Sequence, residues 1–287
     1  MKVLVLGGGQ IARAVEAAAP LQHQVVTRAR VDLDIVDDGA VAKTLAEIEP
    51  DWVVNAAAYT AVDLAEDQAA QAYAVNDIAV GSIARASLRE GCRLLHLSTD
   101  FVFDGKSSRA YPPTADVNPL SVYGASKLAG ERHVLAPGAA GIVLRTSWIY
   151  AAAGKNFVLT MLRLMRERDQ IKVVSDQIGA PTWAASVGAA IWRLIEIDAG
   201  AGVYHWTDLG VASWYDFAVA IQEEALTRGL LLRAIPILPV PSADYPTRAI
   251  RPAFSVLDTA LTRTMIGERG AYWRHNLRLM MDELRTA

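Results

Sequence analysis

The chain has 287 residues, of which 52% are hydrophobic and 21% charged, so it has the composition of a globular protein with a large core. Its formal net charge of -3 offers no basic surface for nucleic acid or an anionic membrane, so a small molecule is the expected partner. The single cysteine, Cys92, excludes an internal disulfide and Cys-x-x-Cys metal sites. With no signal-peptide pattern and no apolar stretch of about 18 residues, we expect a soluble cytoplasmic protein.

The first half of the sequence alternates short apolar runs with longer amphipathic segments. The runs predict buried strands at 3–6, 24–26, 52–56, 93–98 and 142–146. The amphipathic segments predict helices near 10–18, 39–48, 66–89 and 121–135. Strands that alternate with helices predict an α/β fold, with a parallel sheet covered on both faces.

The second half is less regular. It predicts helices at 156–167 and 184–197, a strand at 172–175, and a proline-rich segment at 236–252. We therefore expect a first domain at 1–150, to which residues of about 183–205 return, and a smaller domain formed mainly by 151–287.

Residues 7–12 read GGGQIA, between a predicted strand and a predicted helix. The pattern Gly7-x-Gly9-x-x-Ala12 is typical of dinucleotide sites, where the glycines allow a tight turn and a close approach of pyrophosphate. The phosphate would lie at the N-terminus of the helix that begins near Gln10 and Ile11, where free N–H groups favour anions. A loose glycine turn is the alternative.

Two arginines, Arg28 and Arg30, follow the second predicted strand, where NAD-binding proteins usually carry a carboxylate. An arginine at this place can pair with a 2′-phosphate, so NADPH is favoured and NADH stays open. Solvated loop arginines are the alternative. Asp34 and Ile35 are expected to border the adenine, although Asp34 could equally cap a turn.

Tyr123 and Lys127 are one helical turn apart and share a face. An ammonium beside the phenol is expected to lower its pKa and to make Tyr123 a proton donor, while Lys127 also binds the nicotinamide ribose. Thr99, at the end of the fourth strand, would polarise a substrate carbonyl or else cap a turn. Asp100 is expected to be structural and His96 a buried core residue. This set favours hydride transfer at a sugar-like carbonyl.

Longer blocks identify a family. They are NAAAYTAVDLAE at 55–66, LSTDFVFDG at 97–105, NPLSVYGASKLAGE at 118–131, LRTSWIY at 144–150, NFVLTMLRL at 156–164, VVSDQIGAPT at 173–182, SWYDFA at 213–218 and YPTRAIRPAFSVLDT at 245–259. Because of them the sequence resembles the dTDP-4-dehydrorhamnose reductases, which are extended short-chain dehydrogenases. The resemblance covers nearly the whole chain.

The resemblance implies a Rossmann-type doubly wound sheet that binds NAD(P), with a smaller C-terminal α/β domain for substrate. It also implies NADPH-dependent reduction of the 4-keto group of dTDP-4-dehydro-6-deoxy-L-mannose to dTDP-L-rhamnose, with Thr99, Tyr123 and Lys127 as catalytic residues. Ala56, Ala57, Ala58 and Tyr59 would line the cofactor. The substrate would be bound by Thr99, Asp100, Phe101, Trp148, Asn156, Gln177, Pro181 and Arg251. For two of these we keep an alternative, core packing for Trp148 and a surface ion pair for Arg251.

The sequence departs from the family pattern at two places. The glycine loop is one residue shorter and ends in Ala12, and Phe101 replaces the usual tyrosine, which removes a hydroxyl near the expected sugar. Mg²⁺ is described for some members, but no carboxylate cluster in the sequence can be assigned to it, and no metal ligand is predicted. A homodimer is one open oligomeric state.

Two other functions remain open. The first is another nucleotide-sugar reductase or an epimerase, which would use the same catalytic residues but recycle a tightly bound cofactor. The second is a non-catalytic regulatory subunit similar to that of methionine adenosyltransferase, although such a binder has no need of the acid–base pair.

Overall fold

The structure is a computed structural model that describes residues 1–136, 138 and 141–286. Residues 137, 139, 140 and 287, which fall within the two predicted domains, lie outside the described residues. The strands are β1 (Lys2–Leu6), β2 (Gln24–Arg28), β3 (Trp52–Asn55), β4 (Arg93–Thr99), β5 (Ile142–Thr146), β6 (Ile149–Tyr150), β7 (Ile171–Val174), β8 (Ile178–Gly179), β9 (Thr182–Trp183), β10 (Gly202–His205), β11 (Ala212–Ser213) and β12 (Ile237–Val240).

The helices are α1 (Gln10–Ala17), α2 (Asp38–Ile48), α3 (Val62–Ala65), α4 (Ala69–Tyr73), α5 (Ala79–Arg89), α6 (Val122–Val134), α7 (Phe157–Glu167), α8 (Ala184–Glu196), α9 (Trp214–Thr227), α10 (Ala260–Ile266) and α11 (Trp273–Thr286). A π-helical turn, Ala74–Ile78, joins α4 to α5, and 3₁₀ turns occupy Asp100–Val102 and Ser242–Asp244. In the described part of the chain, no helix is both long enough and apolar enough to span a membrane.

Six strands of the described chain form one parallel sheet in the order β10-β5-β4-β3-β1-β2. From β1 the chain crosses to β2 on one side and then returns to β3 on the other. This reversal opens a crevice at the carboxyl ends of β1 and β3, which is where open α/β sheets bind ligands. The predicted doubly wound α/β fold is confirmed.

Both faces of the sheet are covered by helices, which is why its strands are continuous apolar runs. Val3 and Val5 pack with α1 and α8 on one face, whereas Leu4 and Leu6 pack with α2 and α5 on the other. All four side chains are fully buried, and each contributes about 1.5–3 kcal/mol of transfer free energy. The close contact between α1 and α8 holds the glycine loop against the sheet.

The helix predicted at 66–89 is found from Ala69 to Arg89, where α4, the π-helical turn and α5 follow one another without a break, but the sequence does not predict the π-helical turn. Asn76 lies in the π-helical turn with its side chain pointing inward. Its Oδ1 accepts a hydrogen bond from Tyr59 N at 2.9 Å, and its Nδ2 donates to Tyr59 O and to Ser126 Oγ, each at 3.0 Å. The wider turn therefore places one amide between the loop after β3 and helix α6.

The second half of the chain builds a separate core. Buried residues of α7, α9 and α11 pack together beside the parallel pair β7 and β12. The segment from α8 to β10 returns to the large sheet, where β10 pairs with β5 and α8 packs on α1. The sequence predicts α7, β7 and α8 within one or two residues, but not α9, α10 or α11.

Candidate active site

A cleft of about 800 Å³ opens at the carboxyl edge of the large sheet. The loops after β1, β2, β3, β4 and β5 form its walls, together with the start of α6. Most of the residues predicted for the cofactor and substrate line it, namely Gly7, Gly9, Gln10, Ile11, Arg28, Asp34, Ile35, Ala56, Ala57, Ala58, Tyr59, Thr99, Asp100, Phe101, Tyr123, Lys127 and Trp148. Asn156, Gln177, Pro181 and Arg251 are not among its lining residues.

The glycine loop has the backbone geometry that a bound phosphate needs. Gly7 has a φ of +119°, and a Cβ on it would lie 3.0 Å from the backbone nitrogen of Ala57, so this position requires glycine. Gly9 is the N-cap of α1, and no side chain caps that helix. Nothing lies within 4 Å of where a Cβ of Gly9 would be, so there is space beside the start of this uncapped helix, where an anion is favoured.

The wall beyond β2 carries the two arginines of the sequence prediction. Arg28 is half-buried, with Nη1 donating to Thr27 O at 3.2 Å. Arg30 is exposed, and its Nη2 lies 4.0 Å from a carboxylate oxygen of Asp34. Asp34 also accepts from Val36 N at 3.2 Å, so it caps a turn while it lines the cleft. The two guanidinium groups give this wall a positive charge suited to a phosphate.

Thr99 and Tyr123 meet where β4 ends and α6 begins. The Thr99 hydroxyl donates to Asp100 Oδ1 at 3.1 Å and accepts from Phe101 N at 3.2 Å. The Phe101 ring packs edge-on against Tyr123, with ring centroids 5.4 Å apart. Burial raises the pKa of Tyr123 to about 12, and a hydrogen bond with Thr99 only partly opposes this effect.

The expected lowering of the Tyr123 pKa by Lys127 is therefore wrong for this arrangement. Lys127 is 2% exposed, and its Nζ donates to Leu97 O at 2.6 Å and lies 3.1 Å from His96 Nε2. Burial lowers the pKa of Lys127 to about 8, although the charge of Glu131 acts in the opposite direction. The amine is turned toward strand β4, so desolvation dominates the pKa of the phenol.

Helix α6 is positioned by its first turn. Ser121 caps it by accepting from Gly124 N at 3.2 Å, and Glu66 accepts from Val122 N at 2.9 Å. A Cβ on Gly124 would lie 2.2 Å from Phe101 O, so only glycine lets the helix approach the turn after β4 this closely. This approach brings Tyr123 to the end of β4.

A buried ion pair that the sequence does not predict lies behind the catalytic helix. Arg145 of β5 binds Glu131 of α6 through Nε at 2.9 Å and Nη2 at 2.6 Å, and Ser98 donates to the same carboxylate. Both charged side chains are almost fully buried. A signal for this pair is absent from the local sequence, because its members lie on different elements.

Asp100 is 2% exposed, and burial raises its pKa to about 6. Hydrogen bonds from Ser255 and Thr99 oppose this effect. Ser255 belongs to the C-terminal half, so Asp100 connects the end of β4 to that half. This contact agrees with the structural role expected from the sequence.

Trp148 lines the cleft and also packs against a second tryptophan. Its ring stacks on Trp214, with centroids 3.5 Å apart, and its φ is +50°, which is unusual for a residue with a side chain. Trp214 Nε1 donates to Gln177 Oε1 at 3.2 Å, and Gln177 Nε2 donates to Ser242 Oγ at 2.9 Å. Gln177 thus lies behind the cleft wall and supports the tryptophan pair.

Three other predicted substrate residues bind the protein itself. Asn156 is the N-cap of α7 and accepts from Leu159 N at 3.0 Å. Pro181 is buried between β8 and β9. Arg251 donates to both carboxylate oxygens of Asp63 in α3, at 3.1 and 2.7 Å. The guanidinium of Arg251 therefore forms an ion pair with Asp63, which is the alternative kept for it in the sequence analysis.

Among the described residues, no three His, Cys, Asp or Glu side chains lie close enough together to hold a metal ion.

Comparison with known proteins places the chain in a family. The family model described as RmlD substrate binding domain matches residues 1–286. The chain is 42% identical over 295 residues to a dTDP-4-dehydrorhamnose reductase of Burkholderia thailandensis, covering 99% of each. It is 38% identical over 257 residues to that of Escherichia coli, covering 88% of this chain and 86% of the relative.

Solved structures agree with this placement. A crystal structure of dTDP-4-dehydrorhamnose reductase from Bacillus anthracis in complex with NADP is 33% identical, with a TM-score of 0.92 over 98% of this chain and 99% of that one. A UDP-glucose 4-epimerase of Thermus thermophilus, 20% identical over 100% of each chain with a TM-score of 0.84, shares the fold. The resemblance seen in the sequence is confirmed, and the chain belongs to the dTDP-4-dehydrorhamnose reductase family.

Proposed function

We propose that this protein is an NADPH-dependent oxidoreductase that reduces the 4-keto group of dTDP-4-dehydro-6-deoxy-L-mannose to give dTDP-L-rhamnose. The observation that carries the proposal is the position of Thr99, Tyr123 and Lys127 on the same cleft as the glycine loop. Its support from relatives is the similarity over nearly the whole chain to enzymes of that name.

The residues of the cleft fit a dinucleotide. Gly9 and the first turn of α1 would hold the pyrophosphate, and Arg28 and Arg30 would pair with a 2′-phosphate. Ala56 to Tyr59 would lie along the middle of the cofactor. When bound, NADPH supplies the hydride that the carbonyl carbon receives.

The protein's own groups would act on the carbonyl oxygen. Tyr123 with a pKa of about 12 stays protonated at neutral pH, which is the form that a proton donor must have. The Thr99 hydroxyl would turn from Asp100 to the substrate oxygen and hold it in place. After the phenol proton has moved to this oxygen, a charged Lys127 would stabilise the remaining phenolate.

Trp148 and Phe101 would form the walls beside the sugar, because both are aromatic residues that line the cleft and Phe101 packs against Tyr123. Arg251 and Gln177 would act indirectly, through Asp63 and Trp214. A cytoplasmic location stays a prediction from the sequence, whereas a homodimer and a Mg²⁺ ion stay open.

The test is an assay of NADPH and NADH oxidation with dTDP-, UDP- and GDP-linked 4-keto-6-deoxy sugars side by side. We expect one NADPH to be consumed for each dTDP-sugar reduced. A protein that retains its cofactor and interconverts sugars without net oxidation would instead be an epimerase. A protein that binds nucleotide but turns over none of these sugars would favour the regulatory-subunit alternative.

A further inference from the structure

A chain of hydrogen bonds runs behind the cleft from the loop after β3 to Lys127. Ala57 N donates to Asn55 Oδ1 at 3.1 Å, and Asn55 Nδ2 lies 3.1 Å from His96 Nδ1. His96 Nε2 lies 3.1 Å from Lys127 Nζ, which donates to Leu97 O at 2.6 Å. The side chains of Asn55 and His96 are 0% exposed. We call these two side chains the Asn55–His96 relay.

The chemistry of the groups fixes the direction of each bond. A backbone N–H can only donate, so Asn55 turns its oxygen to Ala57 and its NH₂ group to His96. His96 Nδ1 must then accept, and a neutral imidazole carries its one proton on Nε2. That N–H points at Lys127 Nζ, which can accept it only as an uncharged amine.

A charged Lys127 would disrupt this pattern. The ammonium has no lone pair, so His96 Nε2 would have to accept and Nδ1 would carry the proton. The protonated Nδ1 of His96 would then face the NH₂ group of Asn55, which is also a donor. If the Asn55 amide rotated by half a turn, its oxygen would face His96, but its NH₂ group would face the N–H of Ala57. In either case two hydrogen-bond donors face each other at one of the contacts of Asn55. Such a pair costs free energy where water cannot reach it.

We propose that Asn55 and His96 are positioning residues that favour the uncharged amine of Lys127, so that protonation of the lysine requires a tautomer change at His96. In that step a solvent proton is added to Nζ, while the imidazole loses its Nε2 proton, gains one on Nδ1 and stays neutral. The inference rests on the proposed function only in its consequence, because the charge formed on Lys127 is the one that stabilises the Tyr123 phenolate.

Of the other charged groups on the elements packed around Lys127, Glu131 and Asp77 form ion pairs. Glu131, one turn along α6, favours the charged lysine but is neutralised by Arg145 of β5. Asp77 of the π-helical turn pairs with His133 at 2.8 Å. From the turn after β4, Asp100 lies beside Thr99 and Tyr123. Burial lowers the pKa of His96 well below its usual range, which agrees with a neutral ring.

The first test locates the ring proton of His96 by ¹⁵N NMR of the histidine rings. It uses the full-length chain without added nucleotide, from about pH 6 to 10. We expect His96 to carry its proton on Nε2 at high pH and to shift toward Nδ1 as Lys127 is protonated. His96→Gln assigns the signal. Lys127→Met should abolish the pH-dependent change. A proton on Nδ1 at high pH, or a change that persists in Lys127→Met, would overturn the proposal.

The second test uses the pH dependence of turnover. His96→Gln presents an amide oxygen that can accept from an ammonium, so the apparent pKa assigned to Lys127 should rise by about one unit or more. The matched control is His275→Gln, the same change at an exposed histidine of α11, which should leave that pKa in place. Lower turnover with an unmoved pH profile would show a structural role only. If no sugar is reduced, the NMR result still decides on the relay.

Discussion

The side-chain nitrogen of Asn156 lies 2.9 Å from Oε1 of Gln10 and so joins the start of α7 to the first residue of α1. The same nitrogen donates to Ala151 O at 2.8 Å, while Oδ1 caps α7. Gln10 in turn donates to Lys155 O at 3.3 Å. The side chain of Asn156 thus connects α1 to the second half of the protein, beside the cleft.

We expect Asn156→Ala to lower the free energy of unfolding by about 1–2 kcal/mol, because it removes both the helix cap and the contact with Gln10. Asn156→Ser keeps a capping oxygen but loses the donors, so its loss should be smaller. Urea unfolding followed by tryptophan fluorescence measures the difference. Both variants should also bind NADPH more weakly. Equal losses of stability would show that the cap contributes nothing.

Tyr123→Phe removes the proposed proton donor and leaves the ring in place. Turnover should fall about 10²-fold or more, while the Kd for NADPH stays close to that of the unmodified protein. Steady-state kinetics and a fluorescence titration give the two values. Tyr204→Phe is the matched control, since that hydroxyl donates to Gly200 O at 2.8 Å at the far edge of the sheet. Near-normal turnover in Tyr123→Phe would reject the assignment.

Features that depend on neighbouring residues could be predicted from the sequence. The glycine loop and the spacing of Tyr123 and Lys127 are of this kind, as are the apolar strands. The capping box of α9, in which Ser213 and Asp216 form reciprocal hydrogen bonds, also has a local sequence pattern, although the sequence analysis does not include it. The contact of Arg251 with Asp63 could not be predicted in this way, because the two residues are 188 positions apart and no local sequence pattern indicates the pair. The direction of the Lys127 amine likewise depends on burial against β4.

Arg28→Ala and Arg30→Ala test the preference for the phosphorylated cofactor. Each loses charge-assisted hydrogen bonds to a 2′-phosphate, so the KM for NADPH should rise roughly 10-fold while that for NADH changes little. Arg28 should have the larger effect, because it is half-buried whereas Arg30 is exposed. The ratio of kcat/KM for the two cofactors is the measurement. Arg89→Ala, at an exposed position of α5, is the control. A parallel rise for NADH would place the arginines elsewhere on the cofactor.

His205 makes stability depend on pH. Its Nδ1 donates to Tyr111 O at 3.0 Å, and Nε2 lies 3.5 Å from a guanidinium nitrogen of Arg145. Burial, with the charge of Arg145 as the next cause, lowers the pKa of His205 to about 3, against about 6.5 in an unfolded chain. Above about pH 6.5 the His205 imidazole is neutral in both the folded and the unfolded chain, so it does not reduce the free energy of unfolding. As the pH falls from that value toward 3, only the unfolded state binds the proton, so stability is lost.

The loss should be about 1.4 kcal/mol per pH unit for this one group. His205→Asn keeps a donor near Tyr111 O and cannot titrate, so its unfolding free energy should fall less steeply between about pH 6.5 and 4.5. Urea unfolding at several pH values compares the two slopes, with His275→Asn, at an exposed position of α11, as the control. Parallel curves for His205→Asn and the unmodified protein would mean that this imidazole is protonated in the folded state, and the carbonyl of Tyr111 and the guanidinium of Arg145 would then have to accommodate a buried cation.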